Sequence, residues 1–137
     1  RTPDTGYRSR TMDIDMLFYE DRVIRSERLT IPHPLLERRD FVLEKLAAIP
    51  GLVCHKPQGA FYLFVNIAAF IGKASAGGRQ INNDADFVMA LIEEQHVVTV
   101  QGAAYGMSPY IRLSYATSME RLQTGCERLA AFCEGCQ

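Results

Sequence analysis

A surplus of charge, a long apolar run and a disulfide framework are all missing from this sequence. The formal net charge is only −1, which leaves no electrostatic case for a nucleic acid or an anionic membrane as partner. No apolar stretch approaches the length of a membrane span. Four cysteines, Cys54, Cys126, Cys133 and Cys136, are too few to staple a chain of 137 residues. Arg1-Thr-Pro-Asp-Thr-Gly6 has no signal-peptide character. Together these absences lead to the expectation of a reducing, cytoplasmic setting. They exclude a secreted disulfide scaffold.

What is present suffices for a core. Hydrophobic residues make up 47% of the chain, one domain's worth at this length. Residues 1–11 are polar and broken by Pro3 and Gly6, and read as a loose arm. From Thr11 the pattern alternates, with Met12, Ile14, Met16 and Phe18 forming the apolar face of a strand. Asp13 and Asp15 then share the other face. Two carboxylates so placed repel unless a cation lies between them, and a hard divalent ion such as Mg²⁺ suits the pair. A solvated strand face is the plainer alternative.

From His33 to Gly51 the sequence predicts an amphipathic helix, with Leu36, Val42, Leu43, Leu46, Ala47 and Ile49 as its stripe and Pro50-Gly51 as its stop. Pro34 suits a first turn. Residues 51–56 and 59–67 read as a hairpin, and 71–79 as a flexible connection. Asp84 is read as the cap, or near the cap, of a helix over Ala85–Gln95. Val97–Val100 reads as a short strand, and Gly102–Pro109 as a glycine-punctuated loop. Tyr110–Ala116 is a strand, and Ser118 starts a terminal helix with Leu122, Cys126, Leu129 and Cys133 on its stripe. Arg112, in mid-strand, is the candidate binding residue of this half. Its planar fork is worth ordering when it meets a carboxylate, the alternative being a structural ion pair. Cys133-Glu-Gly-Cys136, with no second pair nearby, is a poor metal site.

Two resemblances follow from spaced motifs. Arg10-Thr-Met-Asp-Ile-Asp-Met-Leu-Phe-Tyr19, Val23-Ile24, Arg28-Leu-Thr-Ile-Pro-His-Pro34 and Arg39-Asp-Phe-Val-Leu43 resemble the C-terminal half of the pterin pyrophosphokinase of folate biosynthesis, over about residues 1–46. This resemblance implies Mg²⁺ at Asp13 and Asp15, and ATP at Arg10, Arg28, Thr30, His33 and Arg39. It also implies pterin stacking on Phe41. The family's N-terminal half has no counterpart here. Residues 37–134, through Arg38-Arg-Asp40, Ile49-Pro-Gly51, Pro57-Gln-Gly-Ala-Phe-Tyr62, Val100-Gln-Gly-Ala-Ala-Tyr-Gly106 and Ile111-Arg-Leu-Ser-Tyr-Ala-Thr-Ser118, resemble the small C-terminal domain of a class I, aspartate-type aminotransferase. That resemblance implies that Arg112 binds the substrate α-carboxylate. Tyr105 stands where this family more often has phenylalanine.

Aminotransferase ancestry implies pyridoxal phosphate, but its Schiff-base lysine belongs to the large domain. None of Lys45, Lys56 and Lys73 has that context. No cofactor is therefore expected on this chain alone, with Mg²⁺ and ATP implied only by the pyrophosphokinase ancestry.

The expected architecture is a single α+β domain, a mainly antiparallel or mixed sheet with three helices packed against it. Its segments are 1–36 (pyrophosphokinase-like), 37–50 (a seam helix that fits both families) and 51–137 (aminotransferase-like). The join suggests a chimera. Its first segment is expected to cover the apolar face left by a missing large domain, a role that a homodimer would also fill. Three functions compete: a carboxylate-binding aminotransferase part without catalysis of its own, a Mg-ATP-binding pyrophosphokinase remnant, and a purely structural chimeric or engineered fold.

Overall fold

The computed structural model describes residues 21–27, 29–31 and 33–137. The chain divides into two units, Arg1–Pro34 and Leu35–Gln137. The predicted strand from Met12 to Phe18 lies outside the described residues. In the first unit, β1 (Ile24–Arg25) pairs antiparallel with β2 (Thr30–Ile31). Ser26 closes the turn, its amide donating to the Leu29 carbonyl at 2.9 Å and its hydroxyl accepting from the Leu29 amide at 3.0 Å. A serine does this readily because its hydroxyl reaches the backbone two or three residues on.

The second unit is α+β, as its sequence pattern predicts. Helix α1 (Leu35–Ala47) begins directly after Pro34. Glu37 lies in its first turn and Lys45 in its last, both favourable to the helix dipole. Leu36, Val42 and Leu46 are buried. Ala47, expected on the stripe, is exposed, because the helix ends there and the chain turns through Ala48 and Ile49. Gly51 makes that turn with φ +90°, and a Cβ there would stand 3.1 Å from the Phe70 ring.

The expected hairpin forms from β3 (Val53–Cys54) and β4 (Tyr62–Asn66). With β5 (Val100–Gln101) and β6 (Tyr110–Ser114) they make a four-stranded antiparallel sheet in the order β3-β4-β6-β5. The strand expected over Val97–Val100 is thus displaced toward its C-terminal end, since only Val100 and Gln101 find partners on β6.

Register fixes the two faces of the sheet. Leu63 lies opposite Leu113 and Val65 opposite Ile111. Leu63, Val65 and Ile111 are fully buried, in one core with Leu46, Phe87, Leu91, Leu129 and Phe132. Tyr62, Phe64 and Arg112 alternate onto the other face, with Phe64 and Arg112 directly opposed.

Helices α2 (Asp84–Gln95) and α3 (Met119–Glu134) complete the core. Ser118 caps α3 as expected, accepting from the Arg121 amide at 3.4 Å. Leu122, Cys126, Leu129 and Cys133 all lie on its buried stripe, together with Phe132. The cap of α2 is Asn83 rather than Asp84. Its side chain accepts from the Asp86 amide at 2.9 Å, while Asp84 is buried.

The segment 71–79 is also more constrained than its composition suggests. The Ser75 hydroxyl donates to Glu94 at 2.5 Å and accepts from the Arg79 amide, and Arg79 pairs with Glu93 at 2.6 Å. Ala74 exchanges two backbone hydrogen bonds with Gln137.

Candidate carboxylate site on the open sheet face

Arg112 is half-buried in mid-strand on the face opposite the core. Its guanidinium carbon lies 4.2 Å from the centroid of Tyr62 and 4.7 Å from that of Tyr105. Tyr62 comes from the neighbouring strand β4, two residues before Phe64. Tyr105 comes from the 3-10 turn Gly102–Tyr105 between β5 and β6, and its ring meets Phe64 edge-on at 5.8 Å. Two ring faces hold the planar cation without using any of its N–H donors. Among the described residues no carboxylate pairs with Arg112, so the structural ion pair considered from sequence does not form there. The fork is oriented and its donors are left for an incoming acceptor, the arrangement that suits a bidentate carboxylate.

The turn that presents Tyr105 has its own supports. The Asp84 carboxylate is 1% exposed. It accepts from the Ala103 amide at 2.7 Å and from the Ser108 hydroxyl at 2.9 Å. Gly102 is buried against the Met107 carbonyl, and the Met107 amide donates back to the Gly102 carbonyl at 2.9 Å. Gly106 ends the turn at φ +69°. Sequence reasoning did not find the pairing of Tyr62 and Tyr105 around Arg112. Its only trace was Tyr105 as an unusual residue in an otherwise familiar motif.

The residues that carry the pyrophosphokinase resemblance are distributed differently. Arg10, Asp13, Asp15 and Arg28 lie outside the described residues. Thr30 is exposed on β2 and His33 is half-buried before α1. On α1, Arg39 donates through Nε to Asp40 at 3.0 Å. Phe41 packs against the core with the Lys45 ammonium 5.5 Å from its ring centroid. The Arg39 guanidinium, followed by Lys56 at 3.3 Å, holds the Asp40 carboxyl below its usual range.

The lysines have other engagements than a cofactor. Lys73 lies 5.5 Å from the Phe70 ring centroid, Lys45 over Phe41 and Lys56 beside Asp40. The cysteines are free and burial raises all four thiols, Cys54 to about 11 and Cys133 to about 12. Such thiols are poor nucleophiles and poor ligands at neutral pH. Among the described residues no group of three or more His, Cys, Asp or Glu side chains is placed to hold a metal. Nor is any helix among them long and apolar enough to cross a membrane.

An arginine oriented by two aromatic rings, on an antiparallel sheet backed by three helices, marks a small α+β unit with a candidate carboxylate site. The model of the family "Aminotransferase class I and II" matches residues 24–129, and the chain belongs to that family. The match takes in Thr30, His33, Arg39 and Phe41, residues that also carry the other resemblance. An aspartate/prephenate aminotransferase of Cereibacter sphaeroides is 49% identical over 98 residues, which are 72% of this chain and 24% of the relative. An aspartate aminotransferase of Rhizobium meliloti is 47% identical over 97 residues. The crystal structure of an aspartate aminotransferase from Rhizobium meliloti superposes with a TM-score of 0.73 at 45% identity, over 75% of this chain and 26% of that one. The chain spans about a quarter of the length of the curated relatives it matches.

Proposed function

We propose that this chain is the substrate-carboxylate-binding part of an aspartate-type aminotransferase, with Arg112 as the gripping residue and no transamination of its own. The observation that carries the reading is the Arg112 guanidinium, clamped between Tyr62 and Tyr105 with no carboxylate partner among the described residues. Ring contacts fix the plane of the fork in advance, so less entropy is lost when a carboxylate docks. Two parallel N–H···O bonds then select a planar carboxylate of an amino or oxo acid. The aspartate/prephenate specificity of the relatives is consistent with such a group.

The test is a titration of the ¹⁵N-labelled chain with acetate and with L-aspartate, following the Arg112 Nε–Hε resonance. Saturable shifts are expected, with binding about tenfold or more weaker in Arg112→Lys, which keeps the charge but loses the fork. Equal shifts in the two proteins, or none in the wild type, would leave a purely structural role as the better account.

A second reading concerns residues 1–46 as a pyrophosphokinase-derived segment joined through α1. It rests on the ordered motifs from Arg10 to Leu43, with Asp13 and Asp15 as a Mg²⁺ pair. Mg-ATP binding that disappears in Asp13→Ala would support it. An absence of binding at millimolar ATP would remove it.

A further inference from the structure

We infer that Asp84 is a positioning residue for Arg112, acting through the Gly102–Pro109 loop to hold Tyr105 against the guanidinium. The inference rests on the reading of Arg112 as a carboxylate grip and adds to it a residue that acts from the opposite side of the loop.

Several observations converge. Asp84 is 1% exposed, and a carboxylate is that deeply buried only where its oxygens are satisfied. Helix capping does not explain it, because Asn83 caps α2. Among the described residues no cation pairs with it. Both oxygens go to one loop instead, Oδ2 accepting from the Ala103 amide at 2.7 Å and Oδ1 from the Ser108 hydroxyl at 2.9 Å. These anchors lie on either side of Tyr105 in sequence. Tyr105 itself is 46% exposed, so burial does little to fix its ring. Its position is set by the backbone of the turn, by the edge-on contact with Phe64 and by the guanidinium. A charged acceptor strengthens both loop bonds relative to a neutral one, and its place in the first turn of α2 suits the helix dipole. Asp84 thus ties the clamp on the outer sheet face to the helix that packs in the core.

The experiment compares the 137-residue wild type with Asp84→Ala, Asp84→Asn, Ser108→Ala and Tyr105→Leu, again at the Arg112 Nε–Hε resonance. Aromatic rings facing the guanidinium shift that resonance, and Tyr105→Leu gives the shift expected when one ring is removed. Asp84→Ala is expected to move the resonance in the same direction and to weaken acetate binding about two- to fivefold. Asp84→Asn should restore most of the wild-type shift, since its carboxamide still accepts from Ala103 and can donate to the Ser108 oxygen. Ser108→Ala, at an exposed position, should give a smaller change of the same sign in a folded protein, and it decides the matter if Asp84→Ala does not fold. An Arg112 resonance that stays at its wild-type position in the folded Asp84→Ala and Ser108→Ala variants, while Tyr105→Leu moves it, would overturn the inference. The two readings fail separately. If acetate does not bind the wild type, the carboxylate grip falls, while the resonance comparison still decides the role of Asp84.

Discussion

Gly102→Ala is expected to cost the fold about 3 kcal/mol, the upper end for overpacking, and to release the Arg112 clamp with it. The reason is steric rather than conformational. A Cβ at this position would lie 2.0 Å from the Met107 carbonyl oxygen and 2.6 Å from that of Tyr110. Both obstacles are backbone, so no side chain can swing away to make room. The loop is doubly closed at this point, with the Met107 amide bonded to the Gly102 carbonyl and the Tyr110 amide bonded to the Met107 carbonyl. Admitting a methyl group means opening those bonds, and Tyr105 lies within the loop that the first of them closes. Gly106 provides the control. It has φ +69° but open space around its missing Cβ, so Gly106→Ala should cost only the left-handed penalty of about 1–2 kcal/mol. Urea titrations of the two variants check this. Equal midpoints for both would mean that the close approach at Gly102 does not limit the fold.

What the sequence made legible follows how local each determinant is. Helix α3 was readable in cap and stripe, because Ser118 and the apolar series Leu122, Cys126, Leu129 and Cys133 act within a few turns of one another. Tyr110–Ala116 was likewise readable as a strand with Arg112 in its middle, and the register of β4 with β6 then turns Leu63, Val65 and Ile111 inward and Arg112 outward. The start of α2 was less readable. Asn82, Asn83 and Asp84 are three adjacent residues with good capping chemistry, and the choice among them depends on Ala103 and Ser108, which local propensity does not see. The same holds for β5, whose length depends on its partner β6. It holds for the segment 71–79 as well, which looks loose by composition and is tied down by Glu94, Glu93 and Gln137.

At the site the division is similar. Arg112 stood out because an arginine in an apolar strand needs a reason. Tyr62 and Tyr105 did not, since each alone is an ordinary aromatic residue. Only the pairing of β4 with β6 and the fold of the Gly102 turn bring both rings to one guanidinium. The cation is thereby ordered by neutral groups, whereas an ion-pair partner would have occupied its donors.

Phe87→Ala is the substitution expected to damage the fold most. Phe87 is fully buried, with edge-on ring contacts to Phe70 at 5.6 Å and to Phe132 at 5.0 Å, so it joins α2 to α3 and to the 3-10 turn Ala68–Phe70. Truncation removes about 3–5 kcal/mol through lost burial and the cavity left behind. That is a large part of the ~5–15 kcal/mol that holds a typical domain together. Phe87→Leu fills most of the space and forfeits the two ring pairs, for a loss of about 1–2 kcal/mol. Urea unfolding followed by circular dichroism should place the leucine variant between wild type and alanine. Both variants within ~0.5 kcal/mol of wild type would show that this ring does not organise the core. Asp84 and Phe87 are one turn apart on the same helix and thus lie on one side of it. Phe87→Leu keeps α2 seated, so Asp84 still reaches Ala103 and Ser108, and the Arg112 resonance should stay at its wild-type position while the stability falls. Along this one helix, the residue that supplies stability and the residue that places the site are then separable.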